Sequence, residues 1–223
     1  EISECLVGSE MCIRDRYYYQ DEDGRGGVTA TSPNYPITGY VIKKYNNPMD
    51  AWTGTGARHI QKAYPIIRYA EILLSYAEAL NNLTGPHTVE LDGQPYTMSR
   101  DKAEIKKAFN QVRYRAGLPG LTANQLNSTP EVQKQIERER MVEFLWENRR
   151  FYDVRRWGIY EETEQEPIRG MNPDGATKET YYQRVIPSSS SFLTRVVDKR
   201  SVWVPIPRNE MRRLPSLDQN PGY

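Results

Sequence analysis

The residues best placed to do chemistry in this sequence are glutamates at helical spacing. Glu139, Glu143 and Glu147 follow one another at intervals of four, and Glu71 and Glu78 are seven residues apart. A glycoside hydrolase needs two carboxyl groups that flank its substrate, one acting as general acid. Here, however, each candidate shares its helical stripe with arginines, which would hold the carboxylate ionised and hydrogen-bonded. The pattern therefore favours a structural ion network, with a helical glycoside hydrolase as the weaker alternative.

The run ERERMVEFLWENRRFYDVRRWG, residues 137–158, indicates where such a network lies. At about 100° per residue its apolar side chains point to almost every side, which is typical of a buried helix. Buried charges must be paired, because an unpartnered buried charge is prohibitively unstable. We therefore predict that this helix continues through Trp146. We also expect Glu143 and Glu147 to be buried and in contact with Arg140 or Arg150.

Motifs for metal, nucleophilic or phosphate chemistry are missing from the sequence. The two histidines, His59 and His87, are far apart, and neither has a partner at metal-ligand spacing. There is no GxSxG, no glycine-rich phosphate loop and no HExxH. We accordingly predict no catalytic residue, no metal site and no cofactor, so the protein is not expected to be an enzyme.

Aromatic composition points to binding instead. The chain has 16 Tyr and 4 Trp against 4 Phe, and tyrosine combines a flat apolar face with a polar edge. Such rings suit sugars, which offer C–H faces for stacking and hydroxyls for hydrogen bonds. The rings in loop-like sequence are Tyr17, Tyr18, Tyr19, Tyr35, Tyr40, Tyr45 and Trp52. Tyr69 and Tyr76, in contrast, are expected in the core of a helical region.

Charge and hydropathy exclude several classes of partner. The 30 basic and 29 acidic residues give a net charge of +1, with no sustained block of one sign. This balance argues against a nucleic-acid or anionic membrane partner. No stretch approaches the roughly 20 apolar residues of a membrane span, and no signal peptide is recognisable.

Four helices are expected from apolar periodicity and from helix-start and helix-stop residues. The first begins near Pro65 and ends before Gly85. The second covers 100–116 with Ser99 as its N-cap, and its apolar face consists of Ile105, Ala108, Phe109, Val112 and Ala116. The third opens at Thr129, and a short fourth helix covers 151–157.

Strand content is expected to be minor. Residues 40–45 could form a short strand, and 181–186 could pair with 194–197 as an irregular hairpin. The proline-rich tail is predicted to lie extended on the helices, with Trp203 and Tyr223 as its anchors and Trp157 packed beside them.

Three blocks of the sequence together resemble one family. They are ERERMVEFLWENRRFYDVRRWG, the earlier YPIIRYAEILLSYAEALN (64–81), and WVPIPRNEM followed by LDQNPGY, which ends at Tyr223. In content and order they are similar to the SusD/RagB family, the glycan-binding outer-membrane lipoproteins of Bacteroidetes. The resemblance implies a mainly α, tetratricopeptide-like scaffold with long irregular loops and minor β structure.

The resemblance also sets expectations for chain organisation. Family members are about twice as long and begin with a lipidated cysteine, so residues 17–223 are interpreted as the C-terminal portion of such a protein. The lipid anchor would then lie outside this chain. Residues 1–16, which include Cys5 and Cys12, fit nothing downstream and are interpreted as a leader of non-native origin.

The function implied by the resemblance is non-catalytic capture of an oligosaccharide at the cell surface. The ligand would pass to a SusC-type TonB-dependent transporter. RagB-like relatives bind peptides, so the ligand class comes from the resemblance alone. The family's glycan site draws on loops before the YAEAL helix, which makes Trp52, Tyr35 and Tyr19 the candidate ligand-binding residues. A helical-repeat scaffold that binds another protein is the main alternative.

Overall fold

A computed structural model of the chain describes residues 38–40, 42, 44–45, 47, 50, 58–172, 174–186 and 195–223. They fall into two compact units. One is built on Ile42–Arg150, and the other on Phe151–Tyr223 together with residues 38–40. As predicted, the described structure is mainly helical, with one two-stranded sheet. None of its helices has the length and apolar character needed to cross a membrane.

The elements follow one another along the chain in a simple order. The first unit contains α1 (Tyr69–Asn81), β1 (His87–Leu91), β2 (Gln94–Met98), α2 (Lys102–Arg115), α3 (Ala123–Leu126) and α4 (Thr129–Glu143). Helix α5 (Arg149–Arg156) starts at the end of that unit. The second unit continues with α6 (Tyr160–Gln165), α7 (Lys178–Tyr181), a 3-10 helix (Lys199–Val202) and α8 (Arg208–Arg213).

The core of the first unit forms where α1 packs against α2 and α4. Its buried apolar residues are Leu74, Ala77, Leu80, Ile105, Ala108, Phe109, Val112, Leu121, Leu126, Val132, Ile136 and Phe144. The predicted apolar face of α2 is therefore confirmed from Ile105 to Val112. The predicted N-cap, Ser99, is wrong. Asp101 caps α2, and its carboxylate accepts hydrogen bonds from the backbone N–H groups of Ala103 and Glu104 at 2.8 and 3.1 Å.

Helix α4 begins at Thr129 as predicted, with the Ser128 hydroxyl as its cap and a proline in its first turn. It ends at Glu143, so the expected continuation through Trp146 is wrong. Trp146 and Asn148 have φ angles of 65° and 59°, which lie in the left-handed region and are incompatible with a right-handed helix. The short helix predicted next is confirmed as α5, two residues earlier than expected.

Helix α1 starts at Tyr69, four residues after the predicted position at Pro65. Its buried side faces α2 and α4 through Leu74, Ala77 and Leu80. The opposite side carries Tyr69 and Tyr76, which are 69% and 42% exposed. The prediction that these two tyrosines belong to the core is therefore wrong, because α1 carries apolar residues on both sides but, among the described residues, packs against α2 and α4 through one side.

The β1–β2 hairpin was not predicted. Its antiparallel register pairs His87 with Met98 and Leu91 with Gln94. The connecting Asp92 and Gly93 have φ angles of 51° and 71°, which is the conformation that two-residue hairpin turns require.

In the second unit, the structure differs from the predicted hairpin and from the predicted anchoring of the tail. Tyr181 ends α7, and Val185 pairs with Gly170 in an isolated bridge, so the expected pairing of 181–186 with 194–197 is wrong. Trp203 and Tyr223 are 55% and 47% exposed, so they do not anchor the tail as predicted, whereas Trp157 is half-buried. The tail is held instead through backbone atoms. The Arg155 guanidinium donates hydrogen bonds to the carbonyls of residues 201 and 202 at 3.0 and 2.9 Å.

Candidate ligand-binding site

Two carboxylates at the end of α4 form the centre of a buried ion cluster. Glu143 and Glu147 are 5% and 8% exposed, so their predicted burial is confirmed. Arg68 Nη1 lies 2.6 Å from Glu143 Oε1, and Arg68 Nε donates to Glu147 Oε2 at 2.9 Å. Arg115 Nη2 lies 2.6 Å from Glu143 Oε2, and the Lys44 ammonium pairs with Glu147 Oε1. The cluster therefore joins chain segments that are far apart in sequence.

The cations on these two carboxylates differ from those predicted. Arg140 donates to Ser75 Oγ at 3.2 Å, and its guanidinium lies 5.2 Å from the ring centroid of Phe144. The Arg68 guanidinium lies at the same distance, 5.2 Å, from the centroid of this ring. Two guanidinium groups thus lie near the Phe144 ring, and Arg68, rather than the predicted Arg140 or Arg150, bridges the two glutamates.

Hydrogen bonds within the cluster favour the charged forms of Glu147 and Arg68. Burial acts to raise the pKa of Glu147, but hydrogen bonds from Arg68 and Lys44 outweigh it and hold that pKa below its ordinary value. Burial likewise acts to lower the pKa of Arg68, and its bonds to Glu147 and Glu143 raise it instead. A carboxylate held ionised in this way cannot serve as a general acid near neutral pH.

The other glutamates considered as general acids are also paired with arginines or buried. Burial raises the pKa of Glu139, outweighing the hydrogen bond from Arg113. That is the direction a general acid needs, but Glu139 is only 3% exposed and points into the helical interior. Glu71 pairs with Arg149 Nη2 at 2.8 Å, and Glu78 is buried. These contacts support a role for the glutamates in a structural ion network rather than in glycoside hydrolysis.

The ion cluster holds the loop between α4 and α5, residues 144–148, in a strained conformation. Lys44 Nζ donates to the carbonyls of Glu143 and Leu145 at 3.1 and 2.9 Å, and Arg68 Nη2 donates to the Glu143 carbonyl at 2.9 Å. The Tyr64 hydroxyl donates to the Trp146 carbonyl at 3.3 Å. A left-handed conformation costs a bulky residue such as Trp146 roughly 1–2 kcal/mol. It persists here because these bonds fix the backbone on both sides.

Two open aromatic rings are associated with this loop, Trp146 within it and Tyr64 hydrogen-bonded to it. Trp146 is 62% exposed and Tyr64 is 55% exposed. The Tyr64 ring is supported from beneath by Tyr45, with the ring centroids 5.3 Å apart and the planes tilted by 36°. Tyr45 itself has a φ of 65°, and burial together with the nearby Glu147 charge raises its pKa. Of the loop aromatics singled out from sequence, Tyr45 is thus a packing residue that supports an exposed neighbour.

The predicted binding residues Trp52, Tyr35 and Tyr19 lie outside the described residues. Asp50 and residues 58–62, which flank the segment that carries Trp52, are described, however. Asp50 Oδ1 accepts a hydrogen bond from the Ile60 backbone N–H at 2.9 Å, and the Asp50 carboxylate pairs with Lys62. The hydrogen bond from Lys62 lowers the pKa of Asp50. Asp50 is therefore tied to Ile60 and Lys62, which follow the segment that carries Trp52.

The open ring of Trp146 was missed because apolar periodicity assigned it to a helix. The signal that could have placed it in a loop is Asn148. Asparagine tolerates the left-handed region better than most residues, and it often follows the end of a helix.

Comparisons with known proteins show the family and the fold. The SusD family matches residues 13–223. The SusD-like protein P2 of Formosa agariphila is 26% identical over 242 aligned residues, which cover 97% of this chain and 41% of that protein.

Two solved structures share the fold. A SusD-like protein of Bacteroides fragilis (BF3747) is 31% identical, with a TM-score of 0.63, and the match covers 86% of this chain and 33% of that one. The protein BT4246 is 25% identical, with a TM-score of 0.65, and the match covers 90% of this chain and 31% of that one. The chain thus spans well under half the length of these relatives. Their helical, tetratricopeptide-like fold confirms the predicted fold class. This chain belongs to the SusD family.

Proposed function

We propose that the protein captures a glycan at the outer face of the outer membrane and passes it uncleaved to a SusC-type TonB-dependent transporter. Membership of the SusD family supports this role. Attachment to the membrane would be through a lipid anchor rather than a spanning segment. The ligand would contact exposed rings on the first unit, where the described chain carries a rigid loop with open aromatic faces.

The observation that carries the proposal is the conformation of Trp146. An exposed tryptophan leaves a large apolar ring in water, since such rings bury about 150–250 Å² when covered. Its backbone is strained as well, and strain of this kind persists mainly where a function requires it. A loop backbone fixed before the ligand arrives loses little conformational entropy on binding. Trp146 is therefore suited to stack on the C–H face of a sugar.

Polar groups around the ring complete a sugar-binding arrangement. Asn148 is exposed two residues after Trp146, and its amide can both donate to and accept from sugar hydroxyls. Tyr64, whose hydroxyl donates a hydrogen bond to the Trp146 carbonyl, offers a second ring. Trp52, Tyr35 and Tyr19 remain our proposed ligand contacts, and Trp146 and Tyr64 join them.

The state of the glutamates supports the absence of bond cleavage in this proposal. Glu143 and Glu147 each face two cations, and Glu139 is enclosed in the helical interior. Inverting and retaining glycosidases both need one protonated and one ionised carboxyl group on opposite sides of an open sugar site. The cation-bound glutamates do not supply that pair.

The test is calorimetric titration of the full chain with defined hexasaccharides of the malto, cello, laminari and xylo series. Trp146→Ala should weaken binding of the preferred sugar by about tenfold or more, since stacked rings contribute on the order of 1–3 kcal/mol. Thermal stability should change little because the ring is exposed. A matched control is Tyr96→Ala, which removes a ring that is 52% exposed on the β1–β2 hairpin. Equal losses in both variants would contradict the assignment.

A further inference from the structure

An open groove lies in the first unit, where α1 ends and where α2 and α4 begin. Its lining consists of residues 81–85, Ser99, Arg100 and Thr129. Its volume is about 630 Å³, which falls within the range of about 300–1,000 Å³ that is typical of ligand sites. The groove is therefore large enough to hold a small molecule.

This groove is separate from the loop that carries Trp146. At the groove, the Asn81 side-chain amide donates to the carbonyl of Thr129, the first residue of α4, at 3.0 Å. The loop follows Glu143, the last residue of the same helix. With 15 residues in α4 and a rise of about 1.5 Å per residue, the two ends lie roughly 20 Å apart. A small ligand in the groove would therefore not reach Trp146, and its binding can be tested separately.

Arg100 is the cation of the groove, and neutral atoms hold its guanidinium in place. Its Nε and Nη2 both donate to Asn81 Oδ1, at 3.2 and 2.9 Å, and Nη2 also donates to the Leu126 carbonyl at 3.2 Å. Asn81 is itself 1% exposed and is fixed by its bond to Thr129. A guanidinium has five N–H donors, and the two on Nη1 have no partner among the described residues.

The positive charge of Arg100 has no matching carboxylate in the described part of the chain. Arg68, Arg113 and Arg149 are half-buried to a similar degree, and each pairs with a glutamate, at 2.6, 2.9 and 2.8 Å respectively. No acidic residue lines the groove, and the adjacent Asp101 carboxylate is used in capping α2. A partly buried cation without a counterion favours the binding of an anion.

The other side chains along the groove suit a ligand with hydroxyl groups. Asn82, Thr84, Ser99 and Thr129 have polar side chains for which the described residues supply no hydrogen-bond partner. Amides and hydroxyls can both donate to and accept from a sugar hydroxyl. Leu83 is the one large apolar side chain in the lining, so the groove offers little contact to the apolar side chains of a peptide.

We propose that the groove binds an acidic sugar, meaning a hydroxylated ring that carries a carboxylate or a sulfate group. The two N–H groups of Arg100 Nη1 bind the anionic group, because charge-assisted hydrogen bonds are roughly twice as strong as neutral ones. The side chains of Asn82, Thr84 and Ser99 bind the ring hydroxyls. The groove is thus a second ligand site, at the other end of α4 from the exposed Trp146 ring.

The experiment titrates the full chain with glucuronate, glucose 6-sulfate, glucose and inorganic sulfate, followed by calorimetry. We expect saturable binding of at least one acidic sugar, with glucose and inorganic sulfate weaker by about tenfold or more. Arg100→Gln should weaken binding of the acidic sugar by about tenfold or more, because the charge is removed. Ser99→Glu should have a similar effect, because it places a carboxylate beside an intact Arg100.

The matched control is Arg138→Gln, which removes the same charge from an exposed position on α4 and should change the affinity less than about twofold. Thermal melts verify folding, and Ser99→Glu carries the test if Arg100→Gln is unstable. Trp146→Ala should leave this binding unchanged, which separates it from the glycan role proposed above. The proposal is overturned if neither acidic sugar binds, if glucose or inorganic sulfate binds equally well, or if Ser99→Glu keeps full affinity.

Discussion

Replacing Glu143 by glutamine removes the charge that faces Arg68 and Arg115 while keeping the size of the side chain. Glu143 is 5% exposed and the Arg68 side chain 22%, so their contact is a mostly buried ion pair. Loss of one partner of such a pair costs about 3–5 kcal/mol. Arg68 keeps its bonds to Glu147, which favours the lower end of that range. The Arg115 side chain is 57% exposed and contributes less than about 1 kcal/mol.

We therefore expect Glu143→Gln to lower the free energy of unfolding by about 3 kcal/mol, out of the roughly 5–15 kcal/mol typical of a folded domain. Urea unfolding followed by circular dichroism measures the change. With a slope of about 1–3 kcal/mol per molar urea, the midpoint should fall by roughly 1–3 M.

A matched control lies on the same helix. Glu131 pairs with Lys134 at 3.2 Å, but their side chains are 46% and 70% exposed. Exposed pairs of this kind contribute about 0.3–0.5 kcal/mol, so Glu131→Gln should leave the midpoint almost unchanged. If Glu143→Gln is no more destabilising than Glu131→Gln, the reasoning about the buried cluster is refuted.

Three further predictions concern pH and steric fit. The folded-state pKa of Glu147 is lowered from 4.5, so its stabilisation is present above that value and is lost as the pH falls through the folded pKa. Glu147→Gln should therefore flatten the acid side of the stability–pH curve. The pKa of Glu139 is raised, so its contribution is present below pH 4.5 and is lost as the pH rises through its folded pKa. Glu139→Gln should accordingly cost less at pH 7 than Glu147→Gln in urea titrations. A Cβ at Gly120 would lie 2.3 Å from the buried Asn110 amide, so Gly120→Ala should destabilise by about 1–3 kcal/mol. Gly85→Ala, with nothing within 4 Å, should be neutral in the same thermal melts.

Local periodicity predicted the elements that depend on neighbouring residues. The apolar face of α2 and the start of α4 follow from side chains three and four positions apart, together with caps and prolines. The same reasoning could not find the partners of Glu143 and Glu147. Spacing within one helix suggests only cations on that helix, such as Arg140. Lys44 and Arg68 come from 103 and 75 residues away along the chain, and only the tertiary fold brings them there.

The other differences between the sequence-based predictions and the structure have separate physical causes. The Asp92-Gly93 dipeptide between alternating residues is a hairpin signal that the helical interpretation left unused. The exposure of Tyr69 and Tyr76 could not be deduced, because apolar character does not specify which neighbour covers a surface. Trp146 was assigned to a helix because periodicity cannot show that the backbone reverses its handedness at a single residue. The candidate site depends on that reversal.

The central claim, uncleaved glycan capture by open rings, is tested most directly by titrating the full chain and Trp146→Ala with the same hexasaccharide series, while reducing ends are assayed in parallel. The account predicts saturable binding by the unmodified chain, weakening by about tenfold or more in Trp146→Ala, and no increase in reducing ends. Unchanged binding by Trp146→Ala, or release of reducing sugar by the unmodified chain, would contradict it.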